Sequence, residues 1–256
     1  MRILLGSLVA AIAAVAALNM NGGAQPLQDV PLATGASSSP IVAELFTSQS
    51  CSSCPPAETL FSELAERDDL IVLEWHVDYW DRLVHGRAGA WKDPFSNAAY
   101  TKRQRDYNRA LRGSGAVYTP QAVINGVQET VGSRRSDVEA LIQPARHATT
   151  AVSVATDGTT SRVEIDDYVR PLAREADVVQ LTLLRDQTTS VPRGENRGVV
   201  LTSKNIVLEA QTIGTYDGAA KSVAIDLPDG KYECAIIIQE KQGARLGPII
   251  GATYCG

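Results

Sequence analysis

Cys51 and Cys54 stand three residues apart at the junction between a β-type run, Ile41 to Thr47, and a helical pattern. No other feature limits the possible folds as strongly. Ala57, Leu60, Phe61, Leu64 and Ala65 recur at i, i+3, i+4, i+7 and i+8, one apolar face of a helix, so the C-x-x-C opens that helix. Unpaired N–H groups and the positive end of the helix dipole favour a thiolate there, which lowers a thiol pKa and raises its reactivity. Pro55 and Pro56 suit the first turn, where a missing N–H costs little. Leu70 to Val77 then returns to a strand pattern, giving strand, helix and strand within the length of a parallel crossover unit.

An aromatic-rich stretch follows, with Trp75, Tyr79, Trp80 and Trp91, and its tryptophans are read mainly as core and secondarily as walls of a groove. Asp93-Pro94 is read as a helix start, with Phe95, Ala99, Tyr107, Ala110 and Leu111 giving an imperfect stripe that ends at Gly113. Next come Thr119-Pro120, an apolar run and Asn125-Gly126. That dipeptide favours a type I′ turn between strands at Gln121 to Asn125 and Glu129 to Val131. Ser136 and Glu139 suggest a capping box opening a helix from about Asp137 to His147.

This order of elements and motifs resembles the thioredoxin-like superfamily. More narrowly, Glu44 to Gln49, Cys51 to Ala57, His76 to Trp80, Trp91 to Phe95 and Tyr118 to Gln121 resemble a bacterial family of exported thioredoxin-like proteins of unknown function, over about residue 40 to the C-terminus. The resemblance implies a cis Thr119-Pro120 bond, with Pro120 packed beside the cysteine pair. It also implies thiol-disulfide exchange in which Cys51 is the nucleophile and Cys54 resolves the mixed disulfide. Glu44 takes the place of the strand Asp that accepts a proton in thioredoxins, one residue out of register, and an inward Glu paired with a neighbour is the competing role. His76 and Asp78 end the next strand near the same sheet edge, where they could tune the thiol or serve structure alone.

The expected fold class is an α/β thioredoxin-like N-terminal domain, residues 40–148, plus a C-terminal all-β, sandwich-like domain, residues 149–256. After Ala148 the chain turns to short β-branched or alternating runs separated by Asp157-Gly158, Asp217-Gly218 and Pro228-Asp229-Gly230. Val191 to Gly198 reads as a polar loop between strands, solvated rather than lining a partner surface. If the runs flanking Lys241 to Gly247 form a hairpin centred near Ala244-Arg245, Cys234 lies opposite Cys255, and a structural disulfide between them is expected.

Met1-Arg2, the apolar run Ile3 to Leu18 and small residues up to Ala24 read as a secretory signal peptide, residues 1–24, cleaved after Ala24. A retained anchor is the alternative, and the run is shorter than the ~20 residues of a spanning helix. Residues 25–39 read as a disordered leader. The expected location is therefore periplasmic or secreted, an oxidising setting in which disulfides persist, with no stable membrane span after cleavage. A net charge of -5 and the absence of long basic runs argue against nucleic acid and anionic membranes as partners.

Three function classes stay open. The first is a thiol-disulfide oxidoreductase acting on protein or small-molecule thiols and disulfides, with no cofactor. The second is a non-catalytic envelope binding module whose C-x-x-C is a static disulfide. The third is a copper-handling protein using the thiols with His76 or His85. Zinc would want four ligands, and only scattered His76, His85 and His147 accompany the cysteines.

Overall fold

Two strands buried along their whole length set the frame. β1 (Ile41–Thr47) and β2 (Leu70–His76) run parallel, with Ile41 opposite Leu70 and Thr47 opposite His76. Both faces are covered, which is why the two segments read as near-continuous apolar runs rather than as alternating ones. The computed structural model describes residues 39–83, 91–145, 150–169, 172, 174–243 and 245–256, all within one compact unit, Ala36–Gly256. The expected signal peptide and nearly all of the leader, together with His85 and His147, lie outside the described residues.

The helix α1 (Pro55–Leu64) crosses from β1 to β2 and packs Ala57, Leu60, Phe61 and Leu64 on Ile41, Ala43, Leu45, Leu70 and Val72. After a short turn of helix, α2 (Trp80–Leu83), the helix α3 (Ala98–Leu111) covers the opposite sheet face, where Tyr100 and Tyr107 join Val42, Phe46, Ile71, Leu73 and Trp75. α3 begins later than the Asp93-Pro94 start expected. The Asp93 carboxylate accepts the Phe95 N–H at 3.0 Å in a local turn, and Asn97 is the N-cap, its side chain accepting the Ala99 N–H at 2.9 Å.

β3 (Gln121–Ile124) lies antiparallel to β1 and turns into β4 (Gln128–Val131) through Asn125 and Gly126, whose φ values of 46° and 69° are those a type I′ turn requires. Asn125 is more than a turn former: its Oδ1 accepts the Val42 N–H at 2.7 Å and its Nδ2 donates to the Ala145 carbonyl at 3.0 Å. The helix α4 (Arg135–Ile142) lacks the expected Ser136–Glu139 capping box. Ser136 is already inside the helix with its hydroxyl toward Asp137, and Glu139 is engaged by Arg135, which also pairs with Glu63 of α1.

The second half of the chain adds β5 (Val152–Asp157), β6 (Thr160–Ile165), β7 (Ala176–Ser190), β8 (Val200–Tyr216), β9 (Lys221–Ile225), β10 (Glu233–Gln242) and β11 (Arg245–Tyr254). The boundary expected at 148/149 does not separate two sheets. β8 runs beside β2, and one eight-stranded sheet results, in the order β11-β10-β7-β8-β2-β1-β3-β4. Strand β2 would otherwise present an unpaired edge, and β8 covers it. Periodicity in a sequence tells which face of a strand is buried and not which edge it joins, so this continuity had no local signal. A three-stranded sheet, β5-β6-β9, packs Val163, Ile165 and Ile225 against Val178, Tyr216, Ile236, Ile238 and Ile250 of the large one. Among the described residues no helix is long and apolar enough to cross a membrane.

Cys234 and Cys255 are bonded across the open end of the β10–β11 hairpin, with Cα atoms 5.2 Å apart and the Cys255 N–H donated to the Cys234 carbonyl at 2.9 Å. The bond closes a loop with a sequence separation of 21, which in the chain-entropy account corresponds to about 3 kcal/mol. The Cys234→Ser, Cys255→Ser double variant should lose about that much in denaturant unfolding while the Cys51–Cys54 bond stays formed; an unchanged midpoint would show that the hairpin does not need its staple.

Candidate functional site

Cys51 and Cys54 are bonded to each other, their Cα atoms 5.4 Å apart, at the N-terminus of α1. Cys54 is the N-cap, Pro55 and Pro56 fill the first helical positions, and the N–H groups of Ala57 and Glu58 point back to the Cys54 carbonyl. The Cys54 N–H in turn donates to the Cys51 carbonyl at 3.1 Å. Ser52 and Ser53 are exposed between them, whereas both cysteines have no exposed surface.

Thr119 meets this pair from the far side. Its peptide bond to the buried Pro120 is cis, and its Oγ1 donates to Cys51 Sγ at 3.3 Å while accepting the Trp80 indole N–H at 2.7 Å. The indole fixes the hydroxyl proton on the sulfur side, and in a reduced protein the same bond would stabilise a Cys51 thiolate. Ser53 Oγ lies 3.4 Å from Cys51 Sγ and 3.4 Å from the Thr119 carbonyl. A Cβ on Gly132 would stand 2.8 Å from Leu45, 3.4 Å from Pro120 and 3.5 Å from Ala57, so Pro120 sits close to the first turn of α1.

The segment before Cys51 is polar and buried, and its side chains are held. Gln49 donates its backbone N–H to Asp93 Oδ2 at 2.8 Å and its side-chain amide to Thr189 at 3.1 Å, and it accepts the Trp91 indole N–H at 3.2 Å. Ser50 Oγ donates to the Trp91 carbonyl at 2.8 Å. Thus Trp80 and Trp91 border the site, while Trp75 is fully buried in the core and Trp80 packs half-buried against the same cluster.

Beneath the motif, on the α1 face of the sheet, lies a buried group of ionisable side chains: Glu58 from α1, Glu74 and His76 from β2, and Asp93. His76 Nδ1 is 2.7 Å from Asp93 Oδ2, His76 Nε2 is 3.8 Å from Glu74, and Thr47 Oγ1 donates to Glu58 at 2.8 Å. Burial together with the Glu74 charge pushes the Glu58 carboxyl up to about 7. Burial raises Glu74 likewise. For His76 burial works against the charge, but Asp93 and Glu74 outweigh it and lift the imidazolium to about 10. Burial also opposes the Asp93 charge, yet His76 and the N–H groups of Gln49 and Phe95 hold its carboxyl below the usual range.

Glu44 does not join this site. In β1 it shares a face with Val42 and Phe46, toward α3, whereas α1 packs on the opposite face with Ala43 and Leu45. Both Glu44 oxygens are occupied: Arg103 Nε donates to one at 2.7 Å and the Tyr107 hydroxyl to the other. Gln239 in β10 donates to the same Tyr107 oxygen at 2.7 Å. The one-residue register offset matters here, because neighbouring positions in a strand face opposite sides. Asp78 pairs with Thr101 and Arg82 instead of the thiols. Glu58 and Glu74 were not singled out from sequence, although two periodicities mark them: Glu58 is four residues beyond Cys54 on one helix, and Glu74 shares strand parity with His76.

No described group of three or more His, Cys, Asp or Glu side chains is arranged to hold a metal ion. His76, the described imidazole considered for copper, is buried and committed to Asp93.

The unexpected contributor is the loop between β7 and β8. Asn196, itself buried, donates its side-chain amide to the Gln49 carbonyl at 3.0 Å and to the Cys51 carbonyl at 2.9 Å, and Glu195 accepts the Ser52 N–H at 3.4 Å. Part of the segment expected to be a solvated loop therefore lies on the cysteine motif.

Among solved structures, the chain is similar to the protein AGR_C_4864 of Agrobacterium tumefaciens, at 30% identity and a TM-score of 0.68 over 84% of this chain and 93% of that one. HBP35 of Porphyromonas gingivalis is similar in fold, at 14% identity and a TM-score of 0.53 over 85% of this chain and 74% of that one. No curated protein matches. A family model described as "Protein of unknown function (DUF1223)" matches residues 42–239, and the chain belongs to that family.

Proposed function

We propose that this protein is an exported thiol-disulfide exchange protein, built on a thioredoxin-like unit over residues 40–148 and working through Cys51 and Cys54. The observation that carries the reading is the hydroxyl of Thr119, oriented by Trp80 and donated to Cys51 Sγ, facing a disulfide at a helix N-terminus. A hydroxyl and a helix dipole aimed at one sulfur favour its thiolate, the species that reacts. In the reduced protein the Cys51 thiolate attacks one sulfur of a substrate disulfide. A Cys51–substrate bond forms, the substrate S–S bond breaks, and the second substrate sulfur leaves as a thiolate. Cys54, as thiolate, then attacks Cys51 Sγ, restoring the Cys51–Cys54 bond and releasing the first substrate thiolate. Two electrons pass from the protein to the substrate, and the reverse sequence oxidises a dithiol. The substrates are protein or small-molecule thiols and disulfides, and reading residues 1–24 as an export signal assigns the protein to the periplasm or the cell exterior.

The complete burial of both cysteines favours a second reading, an inert staple in an envelope binding module. Turnover of insulin or of glutathione disulfide separates the two. Cys51→Ser and Cys54→Ser should each lose turnover at least about a hundredfold relative to wild type, because each removes one of the two sulfurs that the full cycle needs. Equal turnover in all three proteins would overturn the proposal in favour of the binding module.

A further inference from the structure

We infer that the loop joining β7 to β8 is a latch over the cysteine motif, with Asn196 as its bolt, and that it makes the site select substrate sulfurs by size. The inference rests on the exchange reading above and adds to it which substrates reach Cys51.

The sequence neighbours Ser52 and Ser53 are exposed, so Cys51 lies near the molecular surface, yet it has no accessible surface of its own. Two segments distant in sequence adjoin it. One is the Thr119 side chain on Sγ. The other is the 191–198 loop, which reaches across more than a hundred residues of sequence to the backbone that presents the sulfur. Asn196 Nδ2 spends its two protons on two carbonyls of that backbone, Gln49 and Cys51, and is 4% exposed. Such a buried, doubly donating amide is costly to leave unpaired, so the loop's position and the position of Cys51 are coupled.

The loop is braced internally. It closes on itself through Val191 N–H to the Val199 carbonyl at 3.0 Å and Gly198 N–H to the Val191 carbonyl at 2.8 Å. Gly194 and Gly198, at φ 80° and 81°, form its corners. Apart from Asn196, its bond to the motif is the long Glu195–Ser52 contact. Immediately beyond the loop, Val199 and Val200 are exposed beside Pro55 and Thr59 of α1, lining a cavity of about 290 Å³ next to the helix start. A loop held to the motif chiefly by Asn196, beside an exposed apolar step, is suited to yielding to an extended chain. Cys51 has no accessible surface while the loop is seated, so a small thiol or disulfide needs only a slight displacement to reach it, whereas a bulky folded partner needs the loop withdrawn.

The test is alkylation with one warhead at two sizes. Reduced Cys54→Ser protein, or reduced wild type, is treated with N-ethylmaleimide and with a long poly(ethylene glycol) maleimide, and the rate ratio is compared with that of the same protein in denaturant. The folded protein should disfavour the large reagent at least about tenfold beyond the denatured ratio. Asn196→Ala and Asn196→Asp, the latter the same shape without the donors, should close most of that gap, as expected for losing two hydrogen bonds. A folded ratio equal to the denatured ratio, or a ratio unmoved by both substitutions, would overturn the latch. The first of these outcomes needs no Asn196 variant and stands even if the variants unfold. Insulin turnover measured alongside keeps the two claims apart: turnover without size selection removes the latch and leaves the exchange reading, whereas size selection without turnover removes the exchange reading alone.

Discussion

Glu44→Ala is expected to lose about 3–5 kcal/mol of unfolding free energy, the cost of stranding a buried guanidinium. Arg103 has Glu44 as its carboxylate partner at 2.7 Å, and its guanidinium also stacks over Trp75 at 4.7 Å and Tyr107 at 5.0 Å. Burial opposes the Arg103 charge, and Glu44 and Tyr107 more than offset that to hold its pKa above the usual value. Removing the carboxylate therefore leaves a largely buried cation, its side chain 12% exposed, that cannot shed its proton. The Tyr107 hydroxyl loses its acceptor at the same time, and Gln239 is bonded to that hydroxyl, so the damage should spread from β1 to β10. Glu44→Gln, which keeps an acceptor and the volume, should cost less. Since Glu44 faces away from α1, neither variant should change exchange turnover per folded molecule. Urea unfolding followed by turnover on the folded fraction checks both points. A selective loss of turnover at unchanged stability would restore Glu44 as a proton acceptor.

The second large effect is on pH. Glu58, with a folded pKa of about 7 against an ordinary 4.5, holds a proton that the unfolded chain has released, so stability falls as pH rises through that window. The full shift is worth about 3 kcal/mol. His76, raised from 6.5 to about 10, acts in the same direction: its stabilisation is complete below 6.5 and is lost as pH rises toward 10. If fully expressed it is worth about 5 kcal/mol. Asp93, held low by His76, contributes the opposite limb, which disappears only in stronger acid. The melting temperature should therefore decline from mildly acidic to alkaline pH. Glu58→Gln, whose amide oxygen can still accept the Thr47 hydroxyl, should flatten the lower part of that decline, and His76→Gln the upper part. A wild-type melting temperature that rises across this interval would contradict the assigned protonation states.

What the residue pattern reveals about this molecule is uneven for physical reasons. Helix α1 and strands β1 to β4 are fixed by short-range signals: apolar spacing, Pro at the first helical turn, and Asn125-Gly126 at positive φ. The facing of Cys234 and Cys255 follows from hairpin register, which is also local. The β2–β8 junction is not, because an edge partner is chosen by tertiary fit among many similar strands. The same limit applies at the site. Cys51 and Cys54 are apparent from motif and spacing, Thr119 and Pro120 from the family resemblance, and the structure brings Thr119 and the cysteines together. Glu44 takes the competing role, an inward carboxylate paired with Arg103 and Tyr107, because a single residue of register reverses a strand's face. Asn196 was invisible because a polar residue in a Gly- and Pro-containing loop looks solvated unless its partner, here a backbone carbonyl with no side-chain identity, is known.

On the proposed function, one of the two disulfides exchanges and the other only holds. Equilibrating the native protein across graded glutathione redox buffers, then alkylating and quantifying each cysteine peptide, tests it directly. Cys51–Cys54 should open and re-form reversibly at potentials in the range of about −120 to −270 mV typical of exchange proteins, with Cys234–Cys255 closed throughout. A Cys51–Cys54 bond that resists reduction as stubbornly as Cys234–Cys255 would contradict it.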